Sequence, residues 1–168
     1  MLLPKLLRRL LFAPLSKEGT VGFFHPFTQD GGGGERVLWC AIQAIQEQMP
    51  SARCIVYTGE NARGEELGER ALERFGIQLK RPVEVVHLDR CHLVLASRWP
   101  RFTLLGQRRK VEGGGVTDTQ ALGSIILTWE GLLQMTPSVF IDTGGYAFGY
   151  PLAWLAGSLT ACYIHYPY

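Results

Sequence analysis

Residues 21–40 constrain the fold more tightly than any other part of the chain. Val21, Gly22, Phe23 and Phe24 read as a buried strand, the consecutive glycines Gly31, Gly32, Gly33 and Gly34 follow, and an amphipathic helix comes next. Val37, Leu38, Ala41, Ile42, Ile45 and Met49 recur at helical spacing, which predicts one apolar face packed on a sheet. A glycine run has no Cβ to keep backbone N–H groups away from a ligand, and the free N–H groups of the helix behind it favour an anion. The loop is therefore a candidate seat for a phosphate or a sugar hydroxyl, with Gly31, Gly32, Gly33, Gly34 and Glu35 as its binding residues. A flexible connecting turn would carry the same glycines, and a glutamate at a helix start is stabilised by the dipole whatever it binds. The dinucleotide pattern G-x-G-x-x-G is met only at Gly31 and Gly33, because Arg36 stands at its third glycine position. The lysine of a P-loop is absent.

The remaining sequence alternates short apolar strands with helices. Residues 54–58 predict a second strand closed by Gly59. Residues 65–75 predict a helix with Leu67, Ala71, Leu72 and Phe75 inward and Gly76 at its end. A third strand follows over residues 83–88. Ser124 is expected to cap a third helix, with Ile125, Ile126, Trp129, Leu132 and Leu133 on one face and Pro137 as its stop. Residues 139–142 predict a fourth strand, residues 150–156 a short helix and residues 159–165 a fifth strand. This order predicts an α/β fold, a Rossmann-like doubly wound parallel sheet. Ligands of such sheets sit beyond the carboxyl ends of the strands, where the glycine loop, Asp142 and His165 fall. Asp142 and Tyr146 join the candidate substrate-binding residues, although Asp142 also fits a simple turn cap, and Tyr146 and Phe148 fit packing aromatics as well as a sugar platform. His165 ends its strand and can exchange a proton near neutral pH, which makes it the candidate catalytic residue.

A chain of 168 residues suits one domain, and a net charge of +2 without a basic stripe gives no case for a nucleic-acid partner. His87, Asp89, Cys91 and His92 crowd one strand end, but no second cluster accompanies them and the four cysteines lack zinc-site spacing, so no metal is expected. Residues 1–19 are apolar and basic, with Lys5, Arg8 and Arg9. They are too short and too charged to span a bilayer, and read either as a membrane-interface anchor or as a frayed terminus. Residues 20–168 form the expected domain. Within it residues 108–121, with a charge run and three glycines, read as an insertion without its own fold.

Several short motifs carry a family resemblance. They are Phe24-His25-Pro26-Phe27, the glycine run continuing into Glu35-Arg36-Val37-Leu38-Trp39-Cys40, Tyr57-Thr58-Gly59, Arg74-Phe75 and Phe102-Thr103-Leu104-Leu105-Gly106-Gln107. Trp129-Glu130, Asp142-Thr143, Gly145-Tyr146-Ala147-Phe148, Pro151-Leu152 and His165-Tyr166-Pro167 continue the series in the same order. Together they resemble the N-terminal half of the GDP-mannose-dependent α-1,2-mannosyltransferases that extend the dolichol-linked oligosaccharide. The resemblance implies a retaining GT-B glycosyltransferase in which two Rossmann-like domains face each other across a cleft, this chain being the acceptor side. It implies GDP-mannose as donor, held mainly by a second domain absent from these residues, and no cofactor or metal. It further implies a dolichol-pyrophosphate-linked oligosaccharide as acceptor, other mannosyltransferases of the pathway as neighbours, and the cytosolic face of the endoplasmic reticulum membrane as the place of work. On that reading the glycine loop lies near the donor diphosphate, and His165 touches the transferred sugar or the acceptor hydroxyl. The chain alone is expected to be inactive. A non-catalytic binding module for a lipid-linked glycan, and a dinucleotide-binding domain, stay open as alternatives.

Overall fold

The computed structural model describes residues 11–14, 19–29, 31–94 and 118–163. Among them five strands, β1 (Thr20–Phe24), β2 (Arg53–Thr58), β3 (Glu84–His87), β4 (Val139–Asp142) and β5 (Leu159–Cys162), form one sheet in the order β3-β2-β1-β4-β5. Every neighbouring pair is parallel. Four α-helices of the described residues lie between the strands: α1 (Gly33–Gln48), α2 (Gly64–Phe75), α3 (Asp118–Gln134) and α4 (Tyr150–Ala156). This is the expected Rossmann-like doubly wound fold.

Both faces of the sheet are covered, so the central strands must be apolar on both sides. Strand residues alternate between two cores accordingly. Val21, Phe23, Cys54 and Val56 join Leu38, Trp39 and Ile42 of α1 and Leu67 and Ala71 of α2. Phe24, Ile55, Tyr57, Val86 and Phe140 join Leu127 and Leu132 of α3 and Ala153 and Ala156 of α4. The second core also takes in Phe12, whose neighbour Ala13 donates its N–H to the Leu132 carbonyl at 2.9 Å. Part of the N-terminal segment thus packs on the domain itself, while residues 1–10 and 15–18 lie outside the described set.

Helix α3 presents a different face from the one expected, whereas α1 turns the expected Leu38 and Ile42 inward, with Ala41 and Ile45 packed on the same core, and differs in the residues beside them. In α1 the buried residues are Glu35, Leu38, Trp39, Ile42 and Gln46, and Met49 is exposed. Gln46 is tolerated inside because its amide is used: Nε2 donates to the Arg81 carbonyl at 2.9 Å, and Oε1 accepts the Lys80 and Arg81 N–H groups. In α3, Ile126, Trp129 and Leu133 are exposed, whereas Gly123, Ser124, Leu127, Thr128 and Gly131 are buried with Leu132. The small residues win the inward face because the packing is tight. A Cβ at Gly131 would stand 2.8 Å from the Tyr57 ring, and one at Gly123 would collide with the Leu93 carbonyl. Ser124 is therefore an interior residue and not a cap, and α3 already includes Asp118, taking residues 118–121 of the expected insertion into the helix. Residues 108–117 lie outside the described set. Strand β5 ends at Cys162 and runs along the sheet edge with Leu159 exposed.

Candidate functional site

The strand order reverses direction between β1 and β4, since the chain builds outward from β1 to β3 and then returns to the far side of β1 for β4. Loops leaving the carboxyl ends of two such strands diverge and leave a crevice between them. A cavity of about 210 Å³ lies there, lined by His25, Pro26 and Phe27 after β1, by Gly32, Gly34 and Glu35 at the start of α1, and by Gly144 and Tyr146 after β4. Pockets that bury a drug-sized ligand run to roughly 300–1,000 Å³. This one suits a phosphate pair or a single sugar ring, not a whole nucleotide sugar.

The glycine loop forms one wall. Gly31 has φ +65°, a left-handed conformation that side chains rarely adopt, and its N–H donates to Glu35 Oε2 at 2.8 Å. The other oxygen of Glu35 accepts Trp39 Nε1 at 3.2 Å. With 2 % of its surface exposed and both oxygens taken by the protein, Glu35 fastens the loop to α1. Gly32 and Gly34 face the cavity; Gly31 and Gly33 are not among its lining residues.

The opposite wall depends on Asp142, which is fully buried at the end of β4. Its Oδ1 accepts the Gly144 and Gly145 N–H groups at 2.8 and 3.1 Å, and Oδ2 accepts the Tyr150 hydroxyl at 2.7 Å. Burial pushes its carboxyl above the usual aspartate range, partly opposed by the hydrogen bonds from Tyr150 and from the backbone of residues 144–146. Burial, followed by the bond to Asp142, likewise raises the Tyr150 hydroxyl. Asp142 does not line the cavity. It folds the turn that delivers Tyr146, whose ring sits edge-on to Phe24 with centroids 5.9 Å apart.

His25 is the site residue that reasoning from residue types passed over. It follows β1 directly and is 8 % exposed, and its Nδ1 lies 2.9 Å from Thr143 Oγ1. The available signal was positional: β1 is the central strand of the sheet, so the first polar residue after it falls at the switch point. His165, the expected catalytic residue, lies outside the described residues. Among the described residues the cavity wall carries no lysine or arginine. His87 lies away from it, with Nδ1 2.9 Å from the Glu60 carbonyl oxygen.

The family described as ALG11 mannosyltransferase N-terminus matches residues 18–168. The chain belongs to this family. It is 45 % identical over 152 residues to a protein of Dictyostelium discoideum, 47 % over 154 residues to one of Mus musculus and 44 % over 166 residues to one of Homo sapiens. All three are named GDP-Man:Man(3)GlcNAc(2)-PP-Dol alpha-1,2-mannosyltransferase. The alignments cover 89 %, 90 % and 95 % of this chain but 28 %, 29 % and 31 % of those relatives, so the chain spans under a third of their length. No solved structure matches it. Membership in the ALG11 N-terminus family bears out the resemblance carried by the short motifs. Among the described residues no helix is long and apolar enough to cross a membrane.

Proposed function

We propose that the chain forms the acceptor-side wall of an α-1,2-mannosyltransferase that moves mannose from GDP-mannose to a dolichol-pyrophosphate-linked oligosaccharide at the cytosolic face of the endoplasmic reticulum membrane. The observation that carries this reading is the cavity at the β1/β4 switch point, built within the family-matched residues by the glycine loop and by the turn that bears Tyr146. Its size suits one sugar ring or a diphosphate. Its chemistry suits hydroxyls and phosphate oxygens, through a histidine, a tyrosine and glycine backbone.

Transfer with a diphosphate leaving group needs positioned positive charge or donors around the departing oxygens. On this reading that charge comes from the facing domain that the family resemblance implies, while the described wall supplies neutral donors. Residues 1–168 alone then bind substrate fragments without transferring mannose. In this scheme Gly32 and Gly34 approach the donor diphosphate, while His25 and Tyr146 orient the sugar. His165 remains the proposed contact to the reacting hydroxyl.

The test is a ¹⁵N–¹H spectrum of the chain titrated separately with GDP-mannose, a soluble acceptor glycan and NAD. Shifts confined to residues 25–35 and 143–146 with either glycosyl ligand are expected. Shifts produced by NAD alone would replace this reading with dinucleotide binding, and shifts on the outer faces of α3 or α4 would remove the cavity from consideration.

A further inference from the structure

Four consecutive glycines sample more backbone conformations than any other tetrapeptide, and ordering them on a ligand costs conformational entropy. In this chain that cost is met before any ligand arrives. Gly31 is held by Glu35 Oε2, and Glu35 is held by Trp39, which is itself fully buried in the core shared by α1 and α2. Arg74, in the last turn of α2, completes the arrangement from outside. Its Nη1 donates to the Gln29 carbonyl at 3.0 Å and lies 3.8 Å from Glu35 Oε2. One guanidinium thus ties the segment before the glycines to the carboxylate that holds them, and it does so from a different helix.

We propose that Arg74 is a positioning residue for the glycine loop: it clamps the Gln29 carbonyl and the Glu35 carboxylate together, keeps Gly31 in its left-handed turn, and so sets how tightly the cavity wall at Gly32 and Gly34 takes the diphosphate of a nucleotide sugar. The ligand in this statement rests on the function proposed above, whereas the clamp rests on the hydrogen bonds alone. A loop that visits its binding-competent shape for a fraction f of the time binds with its dissociation constant raised by 1/f. Losing the clamp therefore weakens binding without altering any atom that touches the ligand. The stability of the domain should change little, because the Arg74 side chain is 41 % exposed and the buried Glu35 carboxylate keeps its hydrogen bonds from the Gly31 N–H and Trp39 Nε1 when Arg74 is lost.

The experiment compares the wild-type chain with Arg74→Met and Arg74→Lys. Three quantities are read: hydrogen exchange at the Gly31 amide, the dissociation constant for GDP-mannose, and the urea midpoint. In Arg74→Met, Gly31 exchange should accelerate on the order of tenfold, the scale of one charge-assisted hydrogen bond. The dissociation constant should rise by 1/f, approaching that factor only as far as the loop becomes mostly open, while the midpoint stays put. Arg74→Lys should recover part of both effects, since an ammonium restores the charge without the planar fork. Unchanged Gly31 exchange in Arg74→Met overturns the clamp. A lowered midpoint with unchanged affinity shows a merely structural arginine and overturns it equally. If wild-type chain ignores GDP-mannose while Gly31 exchange still accelerates in Arg74→Met, the clamp stands and the nucleotide-sugar assignment falls.

Discussion

Replacing Asp142 by alanine is the sharpest single perturbation of the wall that carries Tyr146. The carboxylate accepts three hydrogen bonds, from the Gly144 N–H, the Gly145 N–H and the Tyr150 hydroxyl. Each such bond contributes about 1 kcal/mol net, more where the acceptor is charged, but burial of the carboxylate takes back part of that excess. The sum for Asp142→Ala is a loss of about 3 kcal/mol. With a urea m-value of about 2 kcal/mol/M, the unfolding midpoint followed by tryptophan fluorescence should fall by about 1.5 M. Asp142→Asn keeps one oxygen for the two glycine amides and should lose about 1 kcal/mol. The pH dependence follows from the raised folded-state pKa. A group of this kind stabilises the fold fully below its unfolded value near 3.8 and loses that contribution as pH rises through the folded value. The side-chain amide in Asp142→Asn does not titrate. The wild-type advantage over Asp142→Asn should therefore shrink as pH rises from about 4 to 7. An advantage that grows over that interval, or an Asp142→Ala loss below about 1 kcal/mol, would refute the reasoning.

Two further outcomes concern the scaffold around the site. Gly64 opens α2 with its backbone against Val83, and a Cβ there would overlap the Val83 carbonyl, so Gly64→Ala should cost about 1–3 kcal/mol in urea unfolding despite alanine's better helix propensity; a stabilised variant would show that α2 does not approach β3 so closely. Glu130 of α3 accepts the Asp89 N–H at 3.0 Å and the Arg90 N–H at 3.2 Å, so Glu130→Ala should cost about 2 kcal/mol and Glu130→Gln about half of that, with equal losses in the two variants counting against the assignment.

The sheet was legible because its strands are short apolar runs separated by helical patterns and turn residues, and all five appear where that rhythm puts them. Gly76 at φ +68° closes α2 as a glycine after an apolar stripe should. Site residues were legible by location and less so by role. The glycine loop, Asp142 and Tyr146 all come to the carboxyl edge of the sheet, yet the carboxylates of Asp142 and Glu35 are occupied by the protein's own donors. A sequence shows that an acidic residue stands at a strand or helix end; it does not show which amide its oxygens will meet. His25 was named only within a family motif and given no site role for a related reason: its place comes from β1 being the central strand, and strand order is a property of the assembled sheet. The expected inward face of α1 holds at Leu38, Ala41, Ile42 and Ile45 but omits Glu35 and Gln46, and that of α3 fails where small residues outcompete larger apolar ones for the inward side.

By itself the sequence determined the secondary-structure rhythm, the parallel doubly wound class and the family, because periodicity, breakers and short motifs are local properties of the chain. Only the tertiary structure decided that the β1 and β4 loops open onto one cavity, that Glu35 and Arg74 hold the glycine loop from two helices, and that small residues of α3 turn inward. Each of those facts depends on distances between residues far apart along the chain, among them Arg74 Nη1 to the Gln29 carbonyl at 3.0 Å and His25 Nδ1 to Thr143 Oγ1 at 2.9 Å. Close packing across the sheet and the satisfaction of buried polar groups set those distances once all the elements are in place.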